Sequence, residues 1–301
     1  MSLIVKKQPD NNESIFKKPY FLFLLIAIPF GIIFVFFTPP FQAPDEDVHF
    51  YRSYQLSEFQ IISQKSNNVK PKIGAMLPSS LQRTVKNFDS GLPFHPPWKV
   101  KLNILQDVFS YPLNQEDKSF TILATAHVYS PVPYIASSAG ILIGRLFELA
   151  PMKLLYLGRI FNLFAWTIIM YYAIKIIPIG KYLMMSLALM PMSLFIASTI
   201  SADVITNSIS YLVIAFFLNQ SYSGVKLSHF NIFKAVILIG ILSLTKQGYN
   251  LLCFLYLLVP LERVSSRLRY FSLFVLIIMS ALIPPFLWYQ SIKHLLPAPK
   301  M

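Results

Sequence analysis

The segment Pro44-Asp45-Glu46-Asp47-Val48-His49 puts three carboxylates and an imidazole side by side, soon after an apolar run that ends near Phe37. It therefore sits at a water–lipid boundary, where charge is costly unless something uses or neutralises it. If the chain turns helical after Pro44, which suits a first helical position, Asp45 and His49 fall one turn apart on one face and Glu46 and His49 become neighbours. Two chemistries fit. Asp45, Glu46 and His49 could hold a divalent cation such as Mg or Mn through hard ligands. Alternatively Asp45 or Glu46 could act as a general base, its pKa raised by acidic neighbours and partial desolvation. A plain helix-capping cluster is the competing structural reading, although one or two carboxylates would suffice for a cap and His49 adds nothing to one.

Three later segments carry similar potential. The first is Ala126-His127-Val128-Tyr129-Ser130-Pro131-Val132-Pro133-Tyr134, on the approach to the second apolar run. Residues of these types commonly mark a membrane interface, but His127 and Tyr134 could also line a binding site beside Asp45. The second is Asp203, the one acidic residue between Glu148 and Glu262. An ionisable group inside a membrane domain is a functional candidate, and Asp203 also suits the start of a helix. The third is Lys246-Gln247-Gly248-Tyr249, where a cation could meet a phosphate as a point charge or simply snorkel at a span end. Arg159 has the same two readings.

The elements that must position these residues are membrane helices. Of 301 residues, 55% are hydrophobic and 13% charged, against about 25% charged in soluble domains. The single cysteine, Cys253, excludes a disulfide framework and a thiolate metal cluster. The net charge of +13 gathers beside apolar runs, at Lys6, Lys7, Lys17, Lys18, then Arg145, Lys153, Arg159, then Arg263, Arg267, Arg269. That distribution follows the positive-inside rule and argues against a nucleic-acid partner. Glycines are few and scattered, so a nucleotide-binding glycine loop is absent.

The chain divides into a basic cytoplasmic tail (1–19), a first transmembrane helix (20–38), a polar extracytoplasmic loop (39–120) and a transmembrane helical domain (121–301). The loop holds eight of thirteen acidic residues and a turn-rich stretch, Gly91 to Trp98. Later apolar runs fall at 131–149, 157–177, 182–200, 204–219, 231–245, 249–261 and 270–292. The expected fold is all-α, with about eight hydrophobic helices. Taking 131–149 as the second span leaves the Arg263–Arg269 cluster on the wrong side. One run must then fail to cross, with 182–200 and 249–261 as the candidates, since a broken segment survives at membrane depth when protein or a water-filled cavity surrounds it.

The acidic pair after the first span, the long loop and the H-x-Y-x-P-x-P-Y approach to the next run resemble the GT-C superfamily of integral-membrane glycosyltransferases. P-D-E-x-x-H-F at Pro44 to Phe50, with Ser201-Ala202-Asp203, resembles more closely a bacterial multi-pass membrane family of unknown function. The GT-C resemblance implies transfer of a sugar from a polyprenyl-phosphate donor to an envelope glycan or lipid acceptor, on the outer face of the cytoplasmic membrane; the N-terminus is expected to be cytoplasmic from the retained first apolar run and its basic flank. It maps the base or metal ligand to Asp45 or Glu46, a second acidic group to Asp203 and donor-phosphate contacts to Lys246 and Tyr249. The competing functions are a transporter or flippase for lipid-linked saccharides and a non-catalytic factor in polysaccharide assembly.

Overall fold

The computed structural model describes residues 18–66, 72–87 and 109–296. The Gly91–Trp98 stretch, the tail up to Lys17 and the last five residues lie outside them. Helix α1 (Pro19–Phe37) buries Phe23, Ala27, Gly31 and Val35, one residue per turn, and leaves apolar side chains such as Phe30, Ile33 and Phe37 exposed. A narrow packed stripe with apolar residues all round is the pattern of a helix in lipid. Among the described residues, four helices are long and apolar enough to cross a membrane: α1, α5 (Pro151–Ile176), α8 (Ala202–Tyr222) and α10 (Arg267–Ile292).

Beyond α1 the chain builds a lobe. It comprises α2 (Glu46–Ser57), strands β1 (Gln64–Lys65) and β2 (Ile73–Pro78), α3 (Ser79–Lys86), strand β3 (Lys118–Ile122) and α4 (Ile135–Leu146). The strands form an antiparallel sheet in the order β1-β2-β3, with Gln64 opposite Gly74 and Met76 opposite Phe120. Phe50, Tyr54, Leu77, Leu81 and the start of α5 (Leu154, Leu155) share its core. The loop expected at 39–120 is thus, where described, an ordered lobe, and β3 runs past its expected boundary.

Side-chain contacts fix the direction of each helix. Arg159, early in α5, donates to the carbonyls of Val35 and Thr38 at the lobe end of α1, while Lys175 lies over the ring of Tyr20 at the other end. Helices α6 (Lys181–Ala188) and α7 (Pro191–Ala197) make one broken traverse back, from Lys181 on the Lys175 carbonyl to Ser198 on the Gly31 carbonyl. The break falls at Pro191, which removes a backbone donor. Helix α8 then runs away from the lobe and α9 (His229–Thr245) returns, with Asn231 on Gln220 at the far end and Lys246 on Asp203 at the lobe end. A 3₁₀ run, Tyr249–Leu258, follows α8 outward from Asn207 to Ser221, and α10 comes back to place Trp288 on the Val128 carbonyl.

This arrangement corrects the expected second span. The run 131–149 contains α4, which lies beside α2 and points the same way: Ser137 meets Ser53, and Arg145 meets Ser57 and Glu58. It leaves and re-enters the lobe end without reaching the far end. The two runs named as candidates for failing to cross, 182–200 and 249–261, are not among the four long apolar helices; as a broken helix pair and a 3₁₀ run they lie alongside the bundle. Helix α4 is held by Gly140-x-x-x-Gly144, a small-residue face that lets helices approach closely. A Cβ on Gly140 would lie 2.7 Å from the Leu157 carbonyl oxygen of α5. Gly140→Val is therefore expected to destabilise the protein by about 1–3 kcal/mol through overpacking, seen as a lower midpoint in thermal unfolding of the detergent-solubilised protein.

Candidate active site at the lobe end of the bundle

Asp45 and Glu46 are adjacent in sequence and separate in the fold. Glu46 is fully buried and forms a two-pronged ion pair with Arg159, also fully buried, at 2.8 Å (Nε to Oε1) and 2.6 Å (Nη2 to Oε2). The same carboxylate accepts backbone N–H groups from Phe41 (3.0 Å) and Ile200 (3.1 Å). Arg159 spends its remaining N–H groups on the carbonyls of Val35, Thr38 and Pro39. Every strong hydrogen-bonding direction of the pair is used, which is the condition for burying charge. Glu46 is a structural anchor.

Asp45 is the exposed member of the pair. It precedes the first turn of α2 with φ +58°, and Phe41 has φ +58° as well. Non-glycine residues at positive φ are strained, more so for a bulky side chain than for Asp. The Phe41 N–H bond to Glu46 holds that turn in place. The strain leaves the Asp45 carboxylate outward at the helix start while Glu46 points into the bundle.

His49 follows one turn later, its backbone N–H on the Asp45 carbonyl. Its ring is buried, with Nδ1 2.7 Å from the hydroxyl of Tyr134 and Tyr129 6.0 Å away between ring centres. Asp45 and Asp203 are both near enough to favour its protonation, and Lys246 near enough to oppose it, but burial dominates and holds the pKa below its ordinary 6.5. Next to it Asp47 is half-buried, and burial pushes its carboxyl up.

Asp203 opens α8, where its backbone N–H bonds to the hydroxyl of Ser201, and its carboxylate pairs with Lys246 at 2.7 Å. Both partners are more than a third exposed, so the pair contributes little to stability and its charges stay accessible. Tyr249 donates to Asn207 one turn further down α8, at 3.2 Å. Asp45, His49, Tyr134, Asp203, Lys246 and Tyr249, drawn from four parts of the sequence, thus gather at one end of the bundle. His127 does not join them. Its ring bonds to the Ala124 carbonyl, and burial lowers its pKa.

The expected cation site is not supported by the donor set. Glu46 is saturated by Arg159 and two amides, His49 turns Nδ1 to Tyr134, and no three His, Cys, Asp or Glu side chains among the described residues are grouped to hold a metal ion. The cluster fits acid–base and anion-binding chemistry better. Beside it lies a cavity of about 400 Å³ whose lining includes Tyr129, Leu244, Lys246, Pro285, Trp288 and Tyr289. Its walls are mostly apolar, with one cation at the rim. Sequence reasoning left Arg159 undecided and passed over Arg52, which is buried and ties α2 to the Ile61 and Tyr129 carbonyls. Burial pulls its pKa down to about 10. A single arginine in an apolar context carries no signal that separates a keystone from a span-end charge.

Residues 28–299 match the model of a family described as "Predicted membrane protein (DUF2142)". The chain belongs to that family. It is a membrane protein with several apolar helices. Neither the curated proteins nor the solved structures contain a match.

Two outcomes follow from the geometry of this DUF2142 member. Glu46→Gln leaves Arg159 buried without a counter-charge and is expected to lose about 3–5 kcal/mol, whereas Asp45→Asn keeps its thermal midpoint; unfolding of both purified variants checks the contrast. His49 titrates below its unfolded value, so the stability it contributes is full above pH 6.5 and is lost as pH falls through the depressed folded value. His49→Asn is expected to flatten the acid side of the stability–pH profile.

Proposed function

We propose that this protein is a membrane glycosyltransferase that moves a sugar from a polyprenyl-phosphate donor to an envelope glycan or lipid acceptor. The observation that carries the reading is the convergence of Asp45, His49, Asp203 and Lys246 beside an apolar cavity. A lipid-borne phosphate needs apolar surface next to a cation, and the mostly apolar cavity lined in part by Lys246 supplies both. The acceptor hydroxyl needs a base facing water, and Asp45 is exposed at the helix start. In the reaction, Asp45 takes the hydroxyl proton as the acceptor oxygen bonds to the anomeric carbon. The sugar–phosphate bond breaks, and Lys246 meets the charge that develops on the departing phosphate. No metal is needed to write these steps.

The orientation belongs to the same proposal. Lys18, Lys175, Lys181, Lys226, Arg263, Arg267 and Arg269 collect at the far end, against one acid, Glu262, among the described residues. The positive-inside rule then puts the far end and the N-terminus in the cytoplasm and the lobe outside, at a bacterial cytoplasmic membrane. With α4 confined to the lobe end, the helix directions agree with that assignment at both ends of the chain. The clustering of ionisable groups at one end favours transfer over flipping, which needs polar groups along a route through the bilayer.

In a transfer assay with purified protein and a panel of polyprenyl-phosphate sugars, Asp45→Asn is expected to reduce the rate about 10²–10⁴-fold, the range for loss of a general base, with folding intact. Lys246→Ala is expected to reduce it as well. Full activity in both variants would overturn the proposal.

A further inference from the structure

A second cavity, of about 280 Å³, opens on the other side of the Asp203–Lys246 pair. Asp203 lines this cavity, while Lys246 lines the larger apolar one, so the ion pair stands as a partition between the two. Asp203, Asn207 and Tyr211 form one wall. They recur every fourth residue along α8, which stacks them on one face of the helix. Trp166 of α5 forms another wall, and Met192 and Ile196 of the broken α6–α7 traverse close the third.

The polar groups on these walls are poised for a ligand. Asp203 uses one carboxylate oxygen for Lys246, leaving the other to accept. Asn207 uses its carbonyl oxygen for the Tyr249 hydroxyl, leaving its NH₂ to donate. The hydroxyl of Tyr211 and the indole N–H of Trp166 make no hydrogen bond among the described residues, and both residues line the cavity. Asn207 and Tyr211 are half-buried and line the cavity, so their free donors face a space that a ligand can enter. One acceptor, three groups able to donate, a flat aromatic face and an apolar wall together suit an uncharged ring that carries several hydroxyls. A phosphate would meet the Asp203 carboxylate and be repelled. A purely aliphatic chain would leave the Tyr211 hydroxyl, the Trp166 indole N–H and the Asn207 NH₂ unanswered.

We infer that the cavity bounded by Trp166, Asp203, Asn207 and Tyr211 binds a monosaccharide ring. The inference rests on the proposed glycosyl transfer for its biological sense and extends it. The lipid phosphate occupies the apolar cavity, the sugar occupies this one, and the bond between them lies at the Asp203–Lys246 partition. Met192 is exposed at the cavity edge, so a sugar on a lipid can enter from the side.

The test uses full-length protein in nanodiscs with Trp98→Phe and Trp288→Phe, which leaves Trp166 as the only tryptophan. The probes are hexyl glycosides of glucose, galactose, rhamnose and N-acetylglucosamine, the corresponding methyl glycosides, and hexyl triethylene glycol as a chain-matched control. At least one glycoside is expected to change Trp166 fluorescence saturably. Asn207→Leu and Tyr211→Phe, each checked for an unchanged thermal midpoint, are each expected to weaken that response about fivefold, the effect of one lost hydrogen bond. Saturation by methyl glycosides identifies a soluble sugar, and saturation only by hexyl glycosides a lipid-borne one; both support the site. No saturable response to any glycoside, an equal response to hexyl triethylene glycol, or no weakening in either variant overturns it. Binding at Trp166 without transfer from any polyprenyl-phosphate sugar would leave this inference standing and remove the proposed reaction; transfer without binding would do the reverse.

Discussion

The buried pair Glu46–Arg159 is the constraint on which the remaining geometry depends. Its two side chains reach the end of α1, the turn after it, the first residue of α2, the first third of α5 and the backbone at Ile200. Asp45 precedes Glu46, and Asp203 comes three residues after Ile200. One ion pair therefore fixes two acidic residues that are more than 150 positions apart in sequence. Two charges out of water are tolerable because a guanidinium with five donors meets a carboxylate and three carbonyls, and because that carboxylate takes two amides besides. A lysine could not replace Arg159, since an ammonium lacks the planar fork.

Around that anchor, buried and exposed members of the same motif take different places. Glu46 and Arg52 hold α2; Asp45 faces water; burial lowers the His49 pKa, and its ring meets the Tyr134 hydroxyl. At the partition the balance is reversed. Asp203 and Lys246 are accessible and only weakly stabilising, so a ligand can separate them at small cost. Strength lies at the buried anchor, and weakness lies at the pair to which we assign ligand binding.

The sequence made much of this legible. The acidic cluster, the Tyr134 approach, Asp203 and Lys246–Tyr249 were all recognisable as charge or polarity placed where an apolar chain should have none. Two things were not legible. Which of Asp45 and Glu46 faces inward depends on a left-handed turn at Phe41 and Asp45 that neither residue type announces. The fate of 131–149 was hidden because a lobe helix and a spanning helix are equally apolar when both are buried; Gly140-x-x-x-Gly144 signals close packing but does not name its partner. Taking α4 as a span shifts the parity of every later helix; breaks such as Pro191 are visible in sequence, whereas a change of direction is not.

The proposed reaction requires the site residues to share one outward face. Single cysteines at Asp45, Lys246 and Arg267, introduced in a Cys253→Ser background and treated with a membrane-impermeant maleimide, test this directly. The account expects labelling of the Asp45 and Lys246 positions in intact cells and of the Arg267 position only after permeabilisation. Labelling of the Lys246 position only after permeabilisation, with the Asp45 position open in intact cells, would contradict it.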